Sequence, residues 1–472
     1  MDISSTSRSD RTHFLVKRSQ LNTSKIFVEF YLPEYQERLD VLSNAPYPLK
    51  PLRKIASRLF DGPFGSNRKV DMYQDSGIPY IRVKDVLPTG IDLSEITYIS
   101  EEKHQELNRS RVVPGNVVMT IAGRVGTAAV FPKSLEEGNI TGHIVGIELP
   151  ENVNPHYIAA FINSQFGEFQ VTRLSHRTTR PELNLKEVGS ILISVPPRSL
   201  QDQIAQVRQE AYGDRQKKIE QAEQSYQKII DCVFKDLGIS LTITQRKRNT
   251  LVPISVLRCG RFDFEAVVTL QDISSQFVEH EVTLLQEVVE QINERTTPLI
   301  ESPDEMVNYI GLANIQSNIG ELANFNPVQG KEVLSSSPKF EKGDILFGRM
   351  RPYLNKVWIA DFDGICSGEA LVFRPKHDKV DARFLHALLL SQLTLDQVVP
   401  LQSGSSLPRV SASDVLSVKL PIPKDLVRQK EIGDEIEKRR REIKRLRSQA
   451  EAVVTAAKTR VERMILSEEP VE

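Results

Sequence analysis

The residues best equipped to engage a ligand are arginines, hydroxyl residues and amides set in glycine- and proline-rich loops. "LSHRTTRPEL" presents His176, Arg177, Thr178, Thr179 and Arg180, while "QSGSSLPRVS" presents Ser403, Ser405, Ser406 and Arg409. "AGRVG" presents Arg124, and "GRMRPYLNK" presents Arg349, Arg351, Tyr353 and Lys356. Near the start, "DGPFGSNRK" ends in Ser66, Asn67, Arg68 and Lys69. Arg and Lys can fork onto guanine edges, Asn onto adenine, and Ser and Thr onto phosphates, so this set is suited to reading nucleic acid. Taken singly, any of these loops reads as a solvated turn. What changes the reading is that they fall at matching places in a repeat.

Catalytic patterns are missing. There is no glycine-rich phosphate loop, no His-Glu-x-x-His, no Gly-x-Ser-x-Gly and no Asn/Asp-Pro-Pro-Tyr motif of amino-methyltransferases. The eight histidines are scattered, and His104, His143 and His176 read as surface or satisfied core groups rather than as a site. Cys232, Cys259 and Cys366 are spaced for neither a disulfide framework nor a zinc site. The expectation is a non-enzyme with no metal and no cofactor of its own.

The repeat organises the chain. "VPGNVVMTIAGRVGTAAVF" aligns with "EKGDILFGRMRPYLNKVWI", placing Gly115 opposite Gly343 at an offset of 228. "IPYIRVKDV" matches "VNYIGLANI" at 229, with Tyr80 opposite Tyr309. Pro181, Val188 and Pro196 match Pro408, Val415 and Pro423 at 227, and "QDQIA" matches "QKEIG" at 228. A period this long means two duplicated domains rather than a solenoid.

The elements that must hold the loops follow from hydrophobic period. "YIRVKDV", "NVVMTIAG", "TAAVF", "HIVGIEL" and "SILISVP" predict strands in the first half, and "YIGLANI", "DILFG", "KVWIA", "EALVFRP" and "SVKLPIP" in the second. "PHYIAAFINSQFGEFQVTRL" and "ARFLHALLLSQLTLDQVV" predict helical stretches before the last strands. Each half then ends in a long helix with 3–4 apolar spacing, Gln201–Leu237 and Glu431–Leu466. The first would be roughly 55 Å long at 1.5 Å per residue. Pro196-Pro197 and Pro423 seat the helix entries, and Gly238 stops the first. Each helix could pack on its own domain, but their matched lengths favour packing on each other, antiparallel.

The fold class expected is α+β, with two pseudo-repeated mixed β-rich domains and two long antiparallel coiled-coil helices. The boundaries are an N-terminal segment 1–47, a first domain 48–199, a first helix 200–238, a linker and second domain 239–423, and a second helix 424–468. The 472 residues, 40% hydrophobic and 26% charged, fit a soluble globular protein. No apolar run spans a membrane and no secretory signal opens the chain, which points to a reduced, cytoplasmic setting. The net charge of −1 argues weakly against nucleic acid, although clustering of cations matters more than their sum.

Taken in order, "GPFGS", "IPYIRVKDV", "PGNVVMTIAGRVGTAAV", "KGDILFGRMRPYLNKVWIA", "SGSSLPRVSASDV", "VPPRSLQDQIA" and "PIPKDLVRQKEI" resemble the specificity subunit of type I restriction-modification enzymes. The resemblance runs from about Phe30 to Leu466 and leaves the first 25 residues unplaced. It implies two target-recognition domains, each reading half of a bipartite site in double-stranded DNA, with the helices as a ruler between them. It further implies two methyltransferase subunits as partners and, through them, ATP-dependent restriction subunits. S-adenosylmethionine, ATP and Mg would belong to those partners. "GRMRPYLNK" stands where the first copy has "IAGRVGTAA", so the two half-sites should differ. The rival readings are an orphan or regulatory specificity-like protein, and a duplicated coiled-coil adaptor for other proteins with no DNA role.

Overall fold

The computed structural model describes residues 28–63, 73–175, 181–236, 282–404 and 406–469. Helices and strands both build it, an α+β chain that divides into two compact units. Unit 1 is residues 1–218 with 448–472, and unit 2 is residues 219–447.

Unit 1 carries two four-stranded sheets. In one, Arg58–Asp61, Ile144–Glu148, Val117–Thr120 and Ala128–Val130 lie side by side, all antiparallel. In the other, Ile78–Ile81 runs parallel to Gly138–Ile140, flanked by Thr97–Ile99 and Arg111–Val112. The sequence stretch "VVMT" is buried at every position instead of alternating, so this strand is covered on both faces. One face meets Phe60, Val112, Phe131 and Ile140. The other meets the helices Pro155–Ile162 and Gln165–Ser175.

Those helices form one apolar stretch in the sequence but two elements in the fold. The break falls at Asn163, whose amide donates to Ala128 O (2.7 Å) and whose Oδ1 accepts from Ala128 N (3.0 Å). "YIRVKDV" is also divided. Its strand ends at Ile81 because Asp85, buried at 3% exposure, accepts from the backbone N–H and guanidinium of Arg82 and closes a 3-10 turn. Residues ahead of the first expected domain belong to the core: the helix Pro33–Ser43 buries Tyr35 and Leu42, and Arg173 stacks on Phe30 and donates to its carbonyl (2.9 Å).

Unit 2 repeats the plan. Val289–Ile292, Ala370–Pro375, Ile345–Gly348 and Val357–Ile359 form the antiparallel sheet. Tyr309–Ile310 runs parallel to Gly364–Cys366 in the second sheet, beside Ser337–Phe340. The strand equivalent to Val117–Thr120 keeps its partner as well: Val117 sits opposite Ile147, and Ile345, 228 residues on, sits opposite Phe373.

The long helices are Arg198–Asp236 and Leu426–Ile465. Within unit 1 they run antiparallel. Lys218 reaches Gln449 (3.4 Å), Arg215 pairs with Glu451 (3.2 Å), and Ile204 shares a core with Val461 and Met464. Within unit 2, Ala222 and Ile229 join the core of Ile432, Ile436, Ile443 and Leu446. The helix stop expected at Gly238 lies outside the described residues.

A buried glutamine starts each long helix. Gln201 Oε1 accepts from Asn154 N (2.9 Å) and its amide donates to Pro196 O (2.9 Å). Gln429 Oε1 accepts from Asp381 N (2.9 Å) and its amide donates to Pro423 O (2.6 Å). Both side chains are essentially sealed, at 2% and 0% exposure. The repeated Gln-x-x-Ile is therefore a hinge pin that sets the angle between domain and helix. Both glutamine side chains are turned into the fold, so a partner docking near these helix starts would meet the residues around them.

Candidate nucleic-acid interface

In unit 1 the loop carrying Arg124 joins two buried strands. Gly123 and Gly126 supply the positive φ values, 72° and 89°, that fold it back. Thr120 holds it from below. Its side chain is fully buried, its hydroxyl donates to the Arg124 carbonyl, and it accepts from Thr127 N (3.1 Å). The Arg124 side chain is left exposed. The chain near Glu182 pairs with this loop: Ala122 bridges Glu182, and Leu183 N donates to Ile121 O (2.9 Å). His176, Arg177, Thr178, Thr179 and Arg180 lead into that pairing but lie outside the described residues. So do Ser66, Asn67, Arg68 and Lys69.

Unit 2 builds the same junction from different residues. Met350 bridges Arg409, as Ala122 bridges Glu182. Arg349 N donates to Glu369 O (2.9 Å), Val410 N to Arg349 O (3.0 Å) and Arg351 N to Pro408 O (2.7 Å). Arg351 and Asn355 adopt left-handed backbone, φ 50° and 48°, around the short turn Pro352–Leu354. Asn355 holds that turn by donating to Leu390 O (2.8 Å). Arg351, Tyr353, Ser403 and Ser406 are exposed, and Arg349 is half-buried with its Nε lacking a partner. Ser405 lies outside the described residues.

Two of the expected ligand-facing side chains are engaged internally. Arg409 lays its guanidinium on the Glu369 carboxylate, with contacts of 2.9 to 3.1 Å, and that bond holds the Glu369 carboxyl below its ordinary pKa. Lys356 donates to the Leu312 carbonyl (2.5 Å), and burial lowers its pKa. Each reads as a loop brace, and among the described candidates those left to face a ligand are Arg124 in unit 1 and Arg349, Arg351, Tyr353, Ser403 and Ser406 in unit 2.

Thr120 and Glu369, which position these loops, escaped sequence reasoning. Thr120 carried one legible signal, as the polar residue closing an otherwise apolar strand. Glu369 carried none, because its partner lies 40 positions away.

His104, His386 and Cys366 are core groups. His104 is buried against Asn139 and Glu137 (3.2 Å). His386 is fully buried with Nε2 3.1 Å from Val357 O, and desolvation drives its pKa well down. The Cys366 thiol is pushed up to about 12 by burial, which leaves no thiolate nucleophile at neutral pH. Among the described residues no cluster of His, Cys, Asp and Glu could hold a metal, and no single helix is long and apolar enough to cross a membrane.

Residues 278–452 match the model of the type I restriction modification DNA specificity domain. A 126-residue stretch is 32% identical to the specificity subunit of the Escherichia coli type I restriction enzyme EcoDI, covering 26% of this chain and 28% of that subunit. Over these stretches the chain is similar to type I specificity subunits. The EcoBI specificity subunit, also from Escherichia coli, is 25% identical over 205 residues, 43% of this chain and 40% of that protein. The alignments thus span well under half of either relative. Two solved structures align along most of this chain. The S subunit from M. genitalium superposes with a TM-score of 0.44 at 10% identity, over 89% of this chain and 96% of its own. A chain from a study of assembly and conformational transition in the type I R-M system gives 0.47 at 13%, over 89% and 98%. The matched specificity domain includes the junction of Arg349, Arg351 and Arg409. The same strand order and the same loop pairing in unit 1 make the first half its structural duplicate.

Proposed function

We propose that this chain selects the DNA sequence on which a type I restriction-modification complex acts, and that other subunits perform the chemistry. The observation that carries this reading is the loop junction built twice on one frame with different exposed side chains: Arg124 beside Glu182 in unit 1, and Arg349, Arg351 and Tyr353 beside Arg409 in unit 2. A frame kept while its contact residues differ is what two unlike half-sites require. Each unit would read one half-site through base-edge and phosphate contacts. Two short readouts then multiply, because each wrong base pair costs about 1–3 kcal/mol.

The long helices would act as an antiparallel coiled-coil ruler between the half-sites. Their pairing within unit 1 and their shared core within unit 2 support this. Two methyltransferase subunits would bind this chain, supply S-adenosylmethionine chemistry on an extruded adenine, and recruit the restriction subunits with their ATP and Mg. The assembly would work in the cytoplasm.

The test is co-expression with a methyltransferase subunit encoded in the same genome, followed by mapping of adenine methylation. A bipartite asymmetric site that appears only when both proteins are present supports the reading. Methyl transfer to DNA by the purified chain alone, or methylation unchanged by its presence, would refute it.

A further inference from the structure

Residues 438–447 of the second long helix hold seven basic residues and one acid, in a chain whose net charge is −1. Ile436, Ile443, Leu446 and Ala450 bury the seam of this helix. At 100° per residue, Lys438, Arg441, Lys444 and Arg445 project from the opposite side. All four are exposed, Arg441 at 75% and Arg445 at 58%. Lys438 and Lys444 make no ion pair among the described residues. Arg441 reaches Glu437 only at 3.4 Å, and Arg445 is held by Glu442.

Like charges three and four positions apart, as in Lys438–Arg441, Arg441–Lys444 and Arg441–Arg445, oppose helix formation. Folding of this chain alone does not explain them. Nor does the duplication. The positions 228 residues earlier, Glu210 to Ile219, carry three basic residues and two acids, so two copies of one partner bound to repeated features would not need the run.

We propose that this face binds the phosphate backbone of duplex DNA in the spacer between the half-sites, without reading sequence. The inference rests on the DNA-recognition reading above. The chemistry required is a row of exposed cations beside a polyanion, and the affinity gained is that of counterion release.

The test uses the full chain assembled with its methyltransferase subunits, once the methylated site is known. The variant combines Lys438→Gln, Arg441→Gln, Lys444→Gln and Arg445→Gln, all on the exposed face. Binding is titrated against salt on the mapped site, and on the same duplex with spacer phosphates replaced by methylphosphonates. The expected result is a salt slope shallower by about 0.9 for each phosphate no longer neutralised, up to about 3.6, with the methylated half-sites unchanged. The methylphosphonate duplex should produce the same loss in the wild type and none further in the variant. An unaltered slope beside normal specific binding by the wild type overturns the inference alone. A variant that sheds its methyltransferase yet keeps the slope gives the face to a protein and also overturns it. A wild-type complex with no site-specific binding overturns the DNA reading itself.

Discussion

Replacing Thr120 by valine should loosen one recognition loop and leave the other intact. The two side chains have nearly the same shape, so the change removes a hydroxyl without opening a cavity. That hydroxyl is fully buried, accepts from the backbone N–H of Thr127 (3.1 Å) and donates to the Arg124 carbonyl. Arg124 is exposed, so its carbonyl can turn to water. Thr127 is only 8% exposed, and its N–H would be left without an acceptor. One stranded buried donor costs about 1–3 kcal/mol. Denaturant unfolding of the full chain should register that loss in unit 1. Thr120→Ser keeps the hydroxyl and should recover most of it. Methylation mapping supplies the functional readout. If Arg124 reads a base, discrimination at one position of one half-site should fall by about 5- to 160-fold, the equivalent of 1–3 kcal/mol. The other half-site should stay sharp, since its strand ends at Gly348 and has no such hydroxyl. The reasoning fails if the valine variant matches wild type in both stability and fidelity, or if both half-sites relax together.

Ile443→Ala should destabilise unit 2 by about 2–5 kcal/mol in chemical denaturation, because the side chain is 2% exposed in the helix core, whereas Arg441→Ala on the outer face should be nearly silent. Glu369→Gln should disorder the pairing of Arg409 with Met350 and relax the half-site read by unit 2, as judged by methylation mapping. The native pair should also weaken in acid: the folded-state pKa of Glu369 lies below its ordinary 4.5, so its stabilisation is complete at neutral pH and fades as pH falls below about 4.5 toward the folded value. Removing one heptad from each long helix should shorten the mapped spacer while leaving both half-site sequences unchanged; altered half-sites would contradict the separation of ruler from reader.

The sequence by itself determined what depends on local period and on duplication. Val117–Thr120 and Ile345–Gly348 are strands because short apolar runs end at turn glycines, and the offset of 228 carried the same neighbours into both sheets. Leu200, Ile204, Ala211 and Ala222 are buried because 3–4 spacing puts them on one side of a helix. The loops were legible too, as glycine and proline punctuation around polar residues. Only the tertiary structure decided what each polar side chain does. Arg351 and Arg409 look alike in the sequence. One is exposed, while the other is tied to a carboxylate 40 positions away. Lys356 bonds a carbonyl 44 positions away, and Gln201 bonds a backbone N–H 47 positions away. Apolar burial obeys a period that a single segment displays. A hydrogen bond needs one partner atom at one distance, and the packing of distant segments chooses that atom.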